Sequence, residues 1–179
     1  AKAMKDICLL RGMHGPEGSH PRASYWAQTG YLPSASIKHP TIGSHVSHHI
    51  GNPNADLPSF VRIGGWRNLT GAGLLGVDHD PFKITNPNQK PANTQIPTTK
   101  PRFTRRLSLL EQLEEDSSRT GAEHWTKANR KVYGKATRMI TSPLMEAFDL
   151  QQENVASRES YGEGNFAAGC LMARRLIES

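Results

Sequence analysis

An uninterrupted apolar run near the start of the chain constrains the fold more than any other feature. Asp6–Met13 reads DICLLRGM, and its centre, Ile7 to Leu10, is apolar throughout. A half-exposed strand alternates apolar and polar residues, whereas a strand buried on both faces of a parallel sheet is continuously apolar. The run therefore predicts a buried parallel strand and an α/β fold. Cys8 in this run and Cys170 in a late helical pattern are expected to be buried free thiols.

The segment that follows predicts a loop and then a helix. Ser19 is a suitable N-cap, and Pro21 suits the first helical turn, where its missing N–H is harmless. A helix is expected over Arg22–Gln28, ending near Gly30. The first 30 residues thus predict a strand, a loop and a helix N-terminus in succession.

The chain is interpreted as one domain in three parts: an α/β part (1–76), a loop-rich excursion (77–101) and a helical part (102–179). The first part also contains a helical pattern after Pro40 and a strand pattern at Ser59–Ile63. The excursion is rich in Pro and Asn, and Pro81–Ile84 is its one candidate strand. Further helices are expected from Thr104, over Glu123–Ile140, after Ser142 and over Glu163–Ile177.

Composition narrows the classes of partner. The chain has 179 residues, a formal net charge of +6 and a pI near 9.6. It contains no run of about eighteen apolar residues, so no membrane span is predicted. Basic residues cluster at Lys100–Arg106 and Lys127–Arg138, but acidic residues at Glu111–Asp116 interrupt them. This pattern is typical of solvated helix faces, and a nucleic-acid partner is not expected.

Three further motifs carry weaker signals. Gly71–Gly76, GAGLLG, matches a dinucleotide fingerprint, but Pro81 stops the helix that should follow, so a flexible loop is expected. His45 and His49 share a helix face as zinc ligands can, but no further ligand lies nearby in sequence, which favours ordinary surface histidines. Asp78–Asp80, DHD, has the composition of a metal or acid–base cluster. A turn is favoured, because adjacent side chains in an extended chain point apart.

The loop from His14 to Arg22 contains the best candidate site. A helix N-terminus offers unpaired N–H groups and the positive end of the dipole, which together attract anions. Arg22 adds a forked donor suited to phosphate or sulfate. His14, Ser19 and His20 are of acid–base, ligand or nucleophile type. A structural interpretation is equally open, in which Ser19 caps the helix and Arg22 pairs with Glu17.

Two signatures, EGSHPRA…TGY and GNFAAGCLMARRLIE, lie within a likeness that covers essentially the whole chain. They resemble the bacterial domain-of-unknown-function family 1501, which is a sulfatase-like family of the alkaline phosphatase superfamily. The resemblance implies an α/β/α sandwich with a mixed sheet, of which this chain would hold part. It also implies two divalent metals, often zinc, or one calcium. A Ser, Thr or formylglycine nucleophile at a helix N-terminus would cleave phosphate or sulfate esters.

The resemblance also points to the loop as the edge of an active site. In several branches the nucleophile stands nine residues before a Thr-Gly, and counting back from Thr29 reaches His20, with Ser19 beside it. This departs from the usual motifs. His14, Ser19, His20 and Arg22 are expected to line the site, with Arg22 holding an ester oxygen. The W-D-T-H and G-R-D-H-W-like segments that supply the main metal ligands are not found here, so no cofactor is expected in this segment alone.

The resulting expectation is an interior segment of a periplasmic or secreted sulfatase-like metallohydrolase homologue. The full-length protein would cleave sulfate or phosphate esters, with zinc or calcium as cofactor and an anionic substrate, sulfated polysaccharide included. The alternative is a non-catalytic protein that kept the fold and binds anions or polysaccharide. Nucleic-acid binding by the basic helical half ranks last.

Overall fold

The computed structural model describes residues 4–65, 70–96, 98–117 and 123–179, which form helices around a small sheet. The α-helices are α1 (His20–Thr29), α2 (Ile42–Ile50), α3 (Lys100–Ser117), α4 (Glu123–Thr141), α5 (Val155–Tyr161) and α6 (Gly164–Glu178). The strands are β1 (Val61–Ile63) and β2 (Phe82–Ile84). Short 3-10 helices occupy Met4–Asp6, Gly73–Leu75, Val77–His79, Pro143–Phe148 and Leu150–Gln152.

Helix α1 begins and ends where its sequence signals predict. Ser19 takes the extended N-cap conformation and Pro21 lies in the first turn. Gly30 ends the helix at φ 77°, a conformation that favours glycine, and its N–H bonds the Trp26 carbonyl at 2.7 Å. The buried Tyr25 packs inward, and its hydroxyl accepts the His39 N–H at 2.8 Å. The helix is therefore fixed to the segment that precedes α2.

The predicted strand at Asp6–Met13 is absent. After the 3-10 turn at Met4–Asp6 the backbone is irregular, and Leu10 and Met13 are 69% and 72% exposed. A buried strand needs a neighbour for its backbone groups on each side, and no described strand pairs with this segment. The prediction of a buried strand is wrong for this structure. The prediction of buried thiols is also wrong, because Cys8 and Cys170 are both exposed and free.

The one sheet in the described residues is the parallel pair β1–β2. Val61 pairs with Phe82 and Ile63 with Ile84, and the Gly64 N–H extends the pairing to the Ile84 carbonyl at 2.8 Å. Parallel strands need a crossover connection, and the described residues 70–81 form part of it. The broad α/β prediction is therefore confirmed, and the excursion contains the short strand expected within it.

A core cluster packs the sheet against the C-terminal helices. Its buried members are Ile84, Phe148, Leu150, Leu171 and Met172. The rings of Phe82 and Phe148 meet edge to face with centroids 5.6 Å apart, which is a favourable aromatic geometry. Most of the buried apolar surface thus lies on this side of the molecule.

The helical part contains two departures from prediction. Helix α3 starts at Lys100 rather than Thr104, because Pro101 fits its first turn instead of ending the loop. Helix α5 was not anticipated, although Asn154 is a good cap and its side chain accepts the Ser157 N–H at 2.7 Å. Both differences come from local capping chemistry.

Candidate functional site

The four predicted site residues lie together at the start of α1. His14 is in the preceding loop, Ser19 is the N-cap, and His20 and Arg22 are in the first turn. All four side chains are exposed to solvent. The loop approaches the helix closely at Gly15, where an added Cβ would lie 2.7 Å from the ring of Trp26. Glycine at this position lets the loop lie against the helix.

An internal carboxylate lies at the N-terminal end of this helix. Glu17 Oε1 accepts the Ser19 N–H at 3.3 Å, and Glu17 Oε2 accepts Arg22 Nε–H at 2.5 Å. These hydrogen bonds, first from Arg22 and then from Ser19, hold the pKa of Glu17 below its ordinary value. The loop therefore presents a backbone N–H and a guanidinium to one carboxylate, which are the donors that a bound sulfate or phosphate would use.

The remaining members of the site are not joined to this ion pair. The Ser19 side chain makes no capping hydrogen bond, so its hydroxyl is available. His14 Nδ1 lies 3.5 Å from the Gly12 carbonyl. Among the described residues, no hydrogen bond joins His14 or His20 to Ser19. The structure thus brings Glu17, Ser19 and Arg22 together and leaves the two imidazoles separate.

The donors of this loop do not fit a metal centre on their own. The carboxylate of the loop, that of Glu17, already accepts hydrogen bonds from Arg22 and from the Ser19 N–H. In the part of the chain that the structure describes, no group of three or more His, Cys, Asp or Glu side chains is arranged to hold a metal ion. No chemical step is therefore assigned to a metal at this site.

The DHD motif forms a turn, and its three side chains diverge. Asp80 Oδ1 accepts the Ala72 N–H at 2.5 Å, which pins the glycine-rich loop. Asp78 forms ion pairs with Lys131 and Lys135 of α4. Burial by itself would raise the pKa of Asp78, but the Lys131 hydrogen bond and the two lysine charges lower it overall. The turn interpretation of this motif agrees with the structure.

The structure also joins two histidine motifs that the sequence left separate. His79 Nδ1 lies 3.2 Å from Ser47 Oγ, and His79 Nε2 lies 3.2 Å from His48 Nδ1. Burial first, then the nearby His48 and Lys135, lowers the pKa of His79 below its ordinary value. Ser47, His48 and His79 are called the α2 histidine cluster below. No local signal in the sequence places residues 31 positions apart in contact.

A cavity of about 310 Å³ lies beside this cluster, between α2, the strands and α4. Its wall is largely apolar, with Leu57, Phe60, Phe82 and Met139 among its residues. One polar contributor, Asp56, accepts a hydrogen bond from the Ser142 hydroxyl at 2.8 Å. The cavity is separate from the loop at α1, because no residue from 14 to 22 lines it.

The comparisons with known proteins concern the whole chain. Residues 1–179 match the family model described as "Protein of unknown function (DUF1501)". The chain belongs to this family. The DUF1501 match spans both the loop at α1 and the α2 histidine cluster. Searches of curated proteins and of solved structures find no match to the chain.

In the described part of the chain, no helix combines the length and the apolar character that a membrane span requires.

Proposed function

We propose that the full-length DUF1501 protein hydrolyses sulfate or phosphate esters, with the loop at α1 binding the anionic ester group. One observation carries the proposal: Glu17 already rests as an oxyanion between the Ser19 N–H and Arg22 Nε. A sulfate or phosphate ester would replace this carboxylate, since its anionic oxygens can accept the same two hydrogen bonds. The resemblance to sulfatase-like proteins supports the same assignment, together with a complete α/β/α sandwich and a periplasmic or secreted location.

The chemistry proposed for the loop is transfer of the ester's sulfuryl or phosphoryl group to a nucleophile. The nucleophile bonds the sulfur or phosphorus atom as the bond to the ester oxygen breaks, and the alcohol leaves with a proton. Water then hydrolyses the covalent intermediate to free sulfate or phosphate. Ser19 is the favoured nucleophile because its hydroxyl is exposed and makes no capping bond. His20 is the alternative nucleophile or its proton acceptor, and His14 is a second acid–base candidate. Arg22 binds a non-bridging oxygen and stabilises the charge that develops in the transition state. Zinc or calcium would be held by residues other than those of this loop.

The proposal is tested by turnover of an aryl sulfate and an aryl phosphate by the full-length protein. Removing one oxyanion donor costs about 10²–10³-fold in kcat, so Arg22→Ala is expected to lose activity on that scale. His20→Ala should also lose most of the activity. Arg105→Ala removes an equally exposed arginine from α3 and should be silent. Wild-type turnover in both Arg22→Ala and His20→Ala would show that the loop is not the site.

A second candidate function is non-catalytic binding of anionic polysaccharide. It is favoured by the lack of a hydrogen bond from Ser19 to either His14 or His20, because such a bond normally activates a serine nucleophile. A binder would retain affinity for sulfated polysaccharide, lose it in Arg22→Ala and show no ester turnover. Stoichiometric zinc or calcium in the full-length protein would favour the enzyme instead. Nucleic acid is not proposed as a partner.

A further inference from the structure

The α2 histidine cluster joins two elements that are far apart in sequence. His48 lies on the exposed side of α2, and His79 ends the 3-10 turn Val77–His79. Their facing nitrogens, Nδ1 of His48 and Nε2 of His79, are 3.2 Å apart. Both atoms carry an in-plane lone pair in one tautomer, so two potential metal-ligand nitrogens face each other across the gap.

The separation of the nitrogens fits a shared metal ion. Zinc binds imidazole nitrogen at about 2.0–2.1 Å in tetrahedral geometry, which places two nitrogen ligands about 3.3 Å apart. The observed 3.2 Å between His48 and His79 is close to that value. An imidazole–imidazole hydrogen bond has a similar length, so a metal titration must distinguish the two.

The ring orientation departs from that of a straight hydrogen bond. A linear N–H···N bond of this length would put the two ring centroids about 5.4 Å apart. The centroids of His48 and His79 are 4.8 Å apart, with the rings nearly perpendicular at 89°. At least one ring is therefore tilted off the line between the two nitrogens. The ligands of one ion are tilted in this way too, because their lone pairs converge on a point beside that line.

The other nitrogen of His79 has the partner that a metal ligand needs. Ser47 Oγ lies 3.2 Å from His79 Nδ1, and Ser47 is only 8% exposed. A ligating histidine usually donates its second N–H to an oxygen, which fixes the tautomer and the ring orientation. With Nδ1–H directed to Ser47, Nε2 of His79 keeps its lone pair toward His48.

The neighbouring charges allow a cation at this place. Lys131 and Lys135 approach the turn from α4, but both form ion pairs with Asp78, which offsets part of their positive charge. His49 packs edge-on against His48 at 4.8 Å between centroids. Since His48 is exposed, water can fill the remaining coordination positions.

We propose that His48 Nδ1 and His79 Nε2 bind one divalent transition-metal ion of the zinc, cobalt or nickel class, with water completing its coordination. Imidazole nitrogen suits these borderline ions and not magnesium or calcium. The described residues supply two protein ligands here and not three, so the ion keeps open positions. The metal would link α2 to the turn Val77–His79 and so hold one wall of the adjoining cavity. The site shares no residue with the loop at α1.

The test is calorimetric titration of the untagged chain with Ni²⁺, Zn²⁺ and Mg²⁺ separately. One Ni²⁺ or Zn²⁺ is expected to bind per chain, and Mg²⁺ should give no binding. His48→Ala should weaken Ni²⁺ binding at least about tenfold, the scale on which lost site contacts act. His79→Asn should do the same, since its amide can still contact Ser47 while nothing replaces Nε2.

The matched control is His45→Ala on the same helix. His45 and His49 stand at i, i+4, and their parallel rings are 6.1 Å apart, so they do not converge on one ion. Unchanged affinity in His45→Ala, with loss in His48→Ala and His79→Asn, supports the site. Affinity that falls in His45→Ala but survives in His48→Ala would overturn it in favour of the helical pair. No Ni²⁺ or Zn²⁺ binding by the wild-type chain would overturn it in favour of a plain hydrogen bond. Circular dichroism of each variant checks that the fold is retained.

Discussion

The N-terminal segment, residues 4–32, and the core cluster differ in how deeply their apolar side chains are buried. In the segment, Leu10 and Met13 are exposed, and the loop at α1 is held by one ion pair and the packing of Gly15 on Trp26. In the core cluster, Phe148 and Met172 have exposures of 1% and 0%. The predicted site and the buried apolar core of the described residues therefore lie in different places.

This separation makes the site accessible to mutation. A variant at His14, Ser19, His20 or Arg22 removes few contacts, so lost function in such a variant reports on chemistry rather than on unfolding. A variant in the core cluster should report on the fold. Variants in the two regions should therefore differ in their effects on stability and on binding.

Phe148→Ala should give the largest loss of stability. Truncating a fully buried phenylalanine removes its transfer free energy and leaves a cavity, at a cost of about 3–5 kcal/mol. Urea unfolding measures the change in the free energy of unfolding. Met13→Ala is the control in the N-terminal segment and should change it by less than about 0.5 kcal/mol. Similar losses in the two variants would erase the distinction between the regions.

Two arginines provide a second comparison. Arg175 bonds the Glu153 carboxylate at 3.0 Å and the carbonyls of Ala147 and Glu146 at 3.2 Å each. Its loss in Arg175→Ala should cost about 2 kcal/mol, because the Ala147 and Glu146 carbonyls lose this donor, while Glu153 keeps its hydrogen bond from Arg174. Arg22→Ala should cost less than about 1 kcal/mol, since Arg22 makes one half-exposed ion pair. Equal costs, measured by urea unfolding, would contradict this ranking.

Acid should weaken the Arg175–Glu153 pair. The Arg175 hydrogen bond, assisted by Arg174, holds the pKa of Glu153 below its ordinary value of 4.5. A lowered folded-state pKa contributes stability that is present above the ordinary value and is lost as pH falls through the folded value. Urea unfolding across this range should show Glu153→Gln less stable than wild type at neutral pH, with the difference shrinking in acid. A difference that is the same at every pH would refute the assignment.

The smallest expected effect concerns the internal carboxylate of the loop. In Glu17→Ala the competing anion is gone, and sulfate should bind severalfold tighter, because the Ser19 N–H and Arg22 no longer have an internal acceptor. Glu159→Ala makes the same charge change on α5 and is the control, read by the same sulfate titration. If both variants gain the same affinity for sulfate, then net charge controls sulfate binding and the position vacated by Glu17 does not.

The sequence predicted the parts of the fold that depend on local chemistry. Ser19, Pro21 and Gly30 mark the two ends of α1, because the conformational preferences of these residue types act over only a few positions. The run Asp6–Met13 led to a wrong prediction of a buried strand, because an apolar run indicates burial only where a neighbouring element covers it. The pairing of His48 with His79 could not be predicted, since it depends on how the turn packs against α2.

The sequence predicted which residues form the candidate site, but it predicted only part of the contacts that join them. The sequence identified the loop, and the ion pair of Arg22 with Glu17 was one of its two interpretations. The hydrogen bond from the Ser19 N–H to Glu17 was not foreseen, because it depends on the path of the loop across Trp26. That bond places the Glu17 carboxylate at the N-terminal end of α1.

The most direct test of the central claim is a sulfate titration followed by backbone amide chemical shifts. The account predicts saturable shifts at Ser19, His20 and Ala23 in the wild-type chain, strongly weakened in Arg22→Ala and unchanged in Arg105→Ala. Shifts that are absent from these amides, or that persist unchanged in Arg22→Ala, would contradict the assignment of the loop at α1 as an anion site.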